Sequence, residues 1–191
     1  MSTLELPRGS ATRIDLAAGD LLVIVSPDGK AAGDLTFLGF DPALTRDIVG
    51  FERWGLPVRI PFTLRATESM YDGAGEPHLR IESLDANGEI DALLPGCRRA
   101  LYPDGRPGCR DLIPEALGVP VTRLTGMVSF WCTTTATPEY YDPFGTQDEK
   151  PGASLAVRAL RPVTVGVSAC PDTLIWTEAE RILELTVTRA T

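Results

Sequence analysis

Histidine is scarce in this sequence: its 191 residues include a single one, His78. A catalytic pair that joins histidine to cysteine or serine would have to use His78, and nothing in the sequence places this residue near a cysteine. Chemistry that depends on histidine as general acid or base is therefore disfavoured. Carboxylates are the side chains expected to carry protons instead.

Positive charge is also in short supply. The chain carries 18 Lys+Arg against 26 Asp+Glu, for a formal net charge of −8. Binding to a polyanion requires a basic face. The composition therefore predicts neither nucleic acid nor an anionic membrane as a partner.

Long apolar segments are missing. No run approaches the roughly 18 residues of a membrane-spanning helix, and the first residues lack the basic segment and apolar core of a secretory signal. The sequence therefore predicts a cytoplasmic protein. In that compartment the four cysteines are expected as free thiols rather than disulfides.

Short apolar segments are present throughout, separated by turns rich in glycine (18 residues) and proline (16 residues). This spacing is typical of strands joined by turns. Strands are predicted at 20–26, 31–40, 78–84, 127–135, 154–160, 163–169 and 182–188, the last three as an antiparallel meander, and short helices at 41–50 and 111–118. A long polar loop is predicted at 136–153. We therefore expect a mainly β fold, an antiparallel barrel or sandwich with a few short helices in its loops, forming a single β-rich domain over residues 1–191.

Three of the cysteines lie where loops could bring them together. Cys97 and Cys109 flank the loop GCRRALYPDGRPGC, and Cys170 ends the apolar strand VTVGVSAC. Three thiols can hold one zinc ion and leave a fourth position for water, yet the sequence has no CxxC pair of the kind that marks most structural zinc sites. Spacing alone leaves open whether these three cysteines are metal ligands or ordinary buried residues. Cys109 precedes a predicted helix, whose N-terminus would lower its pKa, and Cys132 is predicted to lie in the core.

Two carboxylates are the candidates for proton transfer. Asp85 and Asp91 lie in ESLDANGEIDALLPGC, and Asp91 precedes Cys97 by only six residues. Asp85 opens an Asp-Ala-Asn-Gly turn, and the turn alone is a sufficient reason for an aspartate at this position. Both residues could equally be surface or turn carboxylates.

Five segments, taken in order, resemble the urea-carboxylase-associated family, a domain of unknown function some of whose members are subunits of a carboxyguanidine deiminase. They are AAGDLTFLGFDPAL, ESLDANGEIDALLPGC, GRPGCRDLIPEAL, MVSFWCTTT and VTVGVSACPDT. The last is the most specific, since a strand that ends in Ser-Ala-Cys-Pro is a hallmark of the family. The resemblance covers about residues 12–190. It implies a bound zinc ion with Cys97, Cys109 and Cys170 as its ligands.

Three positions depart from the family's pattern. Where the family reads Gly-x-His-Asp this chain has Ile90 before Asp91, and where the family has a histidine three residues before the second cysteine it has Arg106. The asparagine often found three residues after that cysteine is replaced by Leu112. The thiols are thus retained, whereas polar groups that the family carries beside them are not.

Three functions follow from these observations. The first is a zinc-dependent hydrolase or deiminase of a small guanidine- or urea-type C–N compound, with Asp91 carrying the proton and Asp85 orienting a cationic nitrogen. The second is a catalytically degenerate subunit that pairs with a related chain in a homo- or hetero-oligomer. The third is a stand-alone β-barrel that binds a small ligand.

Overall fold

The protein folds into two six-stranded antiparallel sheets, described from a computed structural model. The description covers residues 3–55, 61–85, 90–93, 95–136, 141–147, 150–171 and 182–191, and only the backbone within 132–136 and 141–147. The first sheet contains, in spatial order, β1 (Thr3–Pro7), β14 (Ile182–Thr188), β3 (Leu21–Ser26), β12 (Ala153–Ala159), β7 (Pro77–Asp85) and β6 (Ser69–Tyr71). The second contains β2 (Ala11–Leu16), β13 (Val163–Ala169), β4 (Gly33–Phe37), β9 (Val128–Phe130), β8 (Ile90–Asp91) and β5 (Thr63–Leu64). A separate hairpin pairs β10 (Cys132–Ala136) with β11 (Tyr141–Gln147).

One apolar core joins the two sheets. Leu22, Ile24 and Leu155 of the first sheet belong to the same buried cluster as Leu35 and Val167 of the second. In the described residues no strand pairing connects the two sheets. The mainly β prediction is therefore confirmed, and the architecture corresponds to the sandwich rather than the barrel.

The predicted meander of the last three strands is wrong. β12 pairs with β3 and β7 in the first sheet, whereas β13 pairs with β2 and β4 in the second. The short connection at 160–162 carries the chain from one sheet to the other, and Pro162 has no N–H to donate to a hairpin ladder. Spacing along the sequence located these strands but not their partners.

Two other predicted boundaries change. The strand expected at 127–135 is divided into β9 and β10 by Trp131, a buried residue with φ 60. The segment 136–153, expected as a loop, contains β11. The predictions for residues 137–140, 148 and 149 and for the Cys132 side chain fall outside the described part of the structure.

Both predicted helices are present. α1 (Pro42–Trp54) begins at Asp41, whose carboxylate accepts the Leu44 N–H at 2.9 Å, and ends at Gly55 in the left-handed conformation. The second helix, α2 (Cys109–Leu117), starts two residues earlier than predicted. None of the helices in the described part of the chain combines the length and apolar character needed to span a membrane.

The position of α2 determines where the candidate site lies. This helix packs against β13 and β2 on the face of the second sheet that points away from the shared core. Gly166 permits the close approach, since a Cβ there would lie 2.5 Å from Ile113 Cγ2. The N-terminus of α2 is thereby held over the outer face of the second sheet.

Candidate metal centre

Three cysteine side chains meet at the first turn of α2. The Sγ atoms of Cys97, Cys109 and Cys170 all lie within 4.8 Å of one another, and those of Cys97 and Cys170 are 3.7 Å apart. Cys109 is fully buried, whereas Cys97 and Cys170 are partly exposed. The structure therefore brings together the three thiols that the sequence singled out.

Backbone hydrogen bonds fold the loop of Cys97 onto α2. The Arg110 N–H donates to the Cys97 carbonyl at 2.9 Å, and the Asp111 carboxylate accepts the N–H groups of Arg99 and Gly108 at 2.7 and 2.9 Å. Gly108 is required by this arrangement, because a Cβ there would lie 2.5 Å from the carbonyl carbon and oxygen of Cys97. The loop thus places one thiol directly against the helix N-terminus.

The third thiol, that of Cys170, lies at the end of β13. Cys170 follows β13, and its N–H donates to the Ala32 carbonyl at 2.9 Å, just before β4. The residue after it, Pro171, cannot continue the ladder because it lacks an N–H. The strand therefore ends with the Cys170 side chain beside Cys97.

Hydrogen bonds within the cluster favour a thiolate at Cys97, not at Cys109 as expected from the sequence. Hydrogen bonds from the Cys109 and Cys170 thiols, from the Tyr102 hydroxyl and from the Cys109 N–H, at 3.1 Å, lower the pKa of Cys97 to about 3. Burial raises the pKa of Cys109 well above its usual range, and the hydrogen bonds to the other two thiols reinforce the shift. Of the three thiols, Cys97 is therefore the one whose surroundings favour the thiolate.

These thiols suit a single metal ion. Two sulfurs bound tetrahedrally to zinc at ~2.3 Å are about 3.8 Å apart, close to the 3.7 Å between Cys97 and Cys170. Thiolates are the donors that zinc and other soft or borderline metals prefer. The donor set and its spacing fit a metal with three protein ligands.

A row of buried polar side chains runs across the sheet beside the thiols. Each residue lies directly opposite the next on neighbouring strands, so all of them point to one face: Ser168, Asp34, Ser129, Asp91 and Thr63. Their exposure does not exceed 8%. Apolar neighbours in the same strands enter the shared core, so the polar row occupies the outer face, where α2 also packs.

Asp34 connects this row to the cysteines. Its carboxylate accepts hydrogen bonds from the Ser129 hydroxyl and the Cys109 thiol. Burial, together with the negative charge of Cys97, raises the pKa of Asp34 to about 7, although these two hydrogen bonds oppose the shift. The hydroxyl of Ser168, opposite Asp34, has no hydrogen-bond partner among the described residues.

Of the two carboxylates predicted from the sequence, one lies in this row. Asp91 is fully buried, accepts the Leu93 N–H at 2.7 Å and interacts electrostatically with Asp34. Asp85 ends β7 in the first sheet, where its carboxylate is about half exposed and pairs with Lys150. A catalytic role for either residue stays a prediction.

The positions that depart from the family pattern differ in their surroundings. Ile90 enters the core between the sheets, so its apolar side chain removes no polar group from the face that holds the cysteines. Arg106 stacks on Tyr102 in the loop between Cys97 and Cys109.

His78, the single histidine of the chain, lies in the first sheet, where its ring stacks on Phe37 and its Nε2 is 3.0 Å from an Asp72 oxygen.

Sequence reasoning missed Asp34, Ser129 and Tyr102 as members of the site. Asp34 was recognisable in principle, since aspartate is rare inside a strand and this one interrupts the apolar segment AAGDLTFLGF. Ser129 carried no such signal. Its importance comes only from the pairing of β4 with β9.

The fold and the thiols together define a β-sandwich protein with a cluster of three cysteines able to hold one metal ion. A similar solved structure is the crystal structure of a DUF1989 family protein from Silicibacter pomeroyi DSS-3. The TM-score is 0.76 at 17% sequence identity, and the match covers 100% of this chain and 78% of that chain. No family model and no curated protein matches the sequence. At this identity the likeness shows a shared fold and nothing more.

Proposed function

We propose that the protein is a zinc-dependent hydrolase or deiminase of a small C–N compound of the guanidine or urea class. The convergence of three thiols beside a row of buried polar groups carries the proposal. The resemblance of the sequence to the urea-carboxylase-associated family agrees with it.

Cys97, Cys109 and Cys170 would hold the ion. With three protein ligands, zinc supplies a Lewis acid whose fourth position is open to water or substrate and which acidifies water toward neutral pH. The partial exposure of Cys97 and Cys170 leaves this side of the cluster accessible from solvent.

The polar row would bind and orient the substrate. A carboxylate accepts two N–H groups from a planar cation such as a guanidinium, and Asp34 is the carboxylate that contacts a thiol of the cluster. The orienting role predicted for Asp85 is thus better suited to Asp34, since Asp85 belongs to the other sheet. Asp91, in the next strand but one, is the residue we propose to hold the transferred proton.

A degenerate partner subunit is the second candidate. Leu112 and Arg106 stand where the resembling family carries asparagine and histidine, and neither replacement can exchange a proton near pH 7. In this case the metal would be retained while hydrolysis required a related, histidine-bearing chain.

The first experiment is metal analysis by plasma mass spectrometry on protein purified without a nickel or cobalt column. About one zinc per chain supports the proposal, and metal-free protein from a reduced, folded preparation contradicts it. Ammonia release from guanidine and urea derivatives then tests the reaction, with Asp34→Asn and Asp91→Asn expected to lose activity. Asp85→Asn is the matched control and should keep it. Activity that appears only after a related chain is added would favour the partner-subunit function.

A further inference from the structure

The Ser168 hydroxyl is a buried polar group that the described part of the fold does not satisfy. Ser168 is 0% exposed, and its Oγ has no hydrogen-bond partner among the described residues. Buried polar side chains are nearly always hydrogen-bonded, because a buried hydroxyl without a partner loses its bonds to water and gains none. An exception inside a candidate site therefore indicates a place where a bound group completes the hydrogen bonding.

Strand geometry places this hydroxyl on the face that carries the thiols. Val167 and Ala169 enter the core between the sheets. Ser168 and Cys170 alternate with them along the chain and therefore point to the opposite face, on which α2 packs. The Cys170 N–H continues the ladder by donating to the Ala32 carbonyl at 2.9 Å, so the alternation extends to this cysteine. Residues two apart in a strand are separated by ~6.6 Å, which puts Ser168 beside a candidate metal ligand.

Asp34 is the carboxylate directly opposite Ser168. The two residues pair across β13 and β4, so their side chains share one face of the sheet. Asp34 is 4% exposed, and its Oδ1 accepts the hydroxyl of Ser129, which lies on β9 and thus on the side away from Ser168. A carboxylate offers about four acceptor positions. Asp34 can therefore receive a further donor from the side of Ser168.

We infer that Ser168 and Asp34 together bind one unsubstituted amino group of the substrate. The two N–H bonds of a planar –NH2 group diverge by about 120°, so two acceptors that receive them at ~2.9 Å lie ~5 Å apart. Directly opposite residues on antiparallel strands have Cβ atoms at a similar separation, ~5 Å. The Asp34 carboxylate accepts one N–H and the Ser168 oxygen accepts the other. The inference rests on the proposed function and narrows its substrates to compounds with a terminal –NH2.

This arrangement makes Ser168 a specificity-determining residue. A methyl group on the bound nitrogen removes one of the two N–H donors and leaves a buried acceptor unpaired, and a site built to hydrogen-bond a group rejects the analogue that lacks it. Guanidinium and N,N′,N″-trimethylguanidinium form a suitable pair of probes. Both carry N–H on every nitrogen, but only guanidinium carries –NH2.

An NMR titration of the zinc-loaded full chain, followed through its backbone amide signals, tests the inference with millimolar guanidinium chloride. We expect the amide signals of Ser168 and Asp34 to shift. Ser168→Ala should keep its zinc but bind guanidinium roughly tenfold more weakly, as the loss of one hydrogen bond implies. N,N′,N″-trimethylguanidinium should bind the wild type more weakly and lose little further affinity in this variant, so the preference between the two probes narrows.

Ser154→Ala is the matched control. Ser154 lies directly opposite Asp85 on β12 and β7, so it forms the same pairing of serine with aspartate in the first sheet, and its loss should leave the affinity for both probes unchanged. Equal guanidinium affinity in Ser168→Ala and the wild type would overturn the inference alone and assign the hydroxyl to a buried water. Loss of zinc from folded Ser168→Ala would also overturn it, since the hydroxyl would then support the thiols. Folded, zinc-loaded wild type that binds neither guanidinium nor urea would overturn the proposed function as well.

Discussion

Ser129 and Asp34 are 95 residues apart in the chain, yet they lie directly opposite each other on β9 and β4, and the hydroxyl of one donates to the carboxylate of the other. Both are buried on the face of the sheet that carries the thiols. Burial of a carboxylate is unfavourable unless hydrogen bonds compensate it. The Ser129 hydroxyl therefore compensates part of the cost of burying Asp34 beside the thiols.

The first prediction compares the stability lost when each of the two serines of the polar row is replaced by alanine. Ser129→Ala deprives buried Asp34 of its hydroxyl donor and should lower the free energy of unfolding by about 1–3 kcal/mol. Ser168→Ala removes a hydroxyl with no partner among the described residues and should cost little. Urea denaturation of the metal-free protein measures both. An equal loss in the two variants would show that the Ser168 hydroxyl is bonded in solution.

The second prediction concerns Asp34 and pH. Because its folded pKa of about 7 exceeds the ordinary 3.8, the native state keeps a proton that the unfolded chain releases. The stability of the metal-free protein should therefore be highest below pH ~4 as far as this group is concerned, and fall as pH rises toward 7. The Asp34→Asn variant lacks this pH dependence. Its loss of unfolding free energy relative to the wild type should therefore shrink, or reverse, when the pH is raised from 5 to 8, two values on either side of the folded pKa of about 7.

Urea midpoints measured at several pH values test this expectation. Asp104→Asn, which alters a carboxylate 60% exposed at the surface, is the control for loss of a negative charge. Its difference from the wild type should stay small throughout, as is usual for surface substitutions. A constant gap between Asp34→Asn and the wild type would contradict the raised pKa of Asp34.

The third prediction is that Cys109→Ser abolishes stoichiometric metal binding. Cys109 and Cys170 both have pKa values raised well above the usual range, so a metal must displace their protons to bind. Metal affinity should accordingly increase with pH, with proton release on binding. Plasma mass spectrometry and chelator competition at pH 6 and pH 8 measure these effects, two values chosen on either side of ~7. Cys132→Ser, the fourth cysteine, is the matched control and should keep its metal.

The sequence was sufficient for the thiols and for part of the strands; it did not predict β1, β2, β5, β6, β8 and β11. Periodic apolar segments located β3, β7 and β13 closely, because alternation of side chains reflects burial of one or both faces of a strand. It was insufficient for strand pairing, since the periodicity of a strand reports its own burial and not the strand beside it. Asp34 and Ser129 become neighbours only through that pairing, so the site's carboxylate escaped prediction although its cysteines did not.

The loop at 97–108 shows a further limit of sequence reasoning. Arg106 differs from the histidine of the resembling family, and from the sequence alone this substitution indicates a lost catalytic group. In the structure the guanidinium carbon of the same side chain lies 4.5 Å from the centre of the Tyr102 ring. Its place follows from the turn in which the Gly105 N–H donates to the Tyr102 carbonyl at 2.9 Å, and not from residue type.

The last prediction uses the two glycines that bound α2. Gly108→Ala would place a Cβ 2.5 Å from the Cys97 backbone, which can move only if the loop shifts away from the helix. We expect zinc affinity to fall roughly tenfold or more, since ligand position depends on such supporting contacts, together with a loss of stability. Gly118→Ala at the other end has open space but a left-handed φ of 69, so it should cost about 1 kcal/mol and leave zinc binding intact. Equal zinc affinity in the two variants would mean that the contact between Gly108 and Cys97 does not position the thiol.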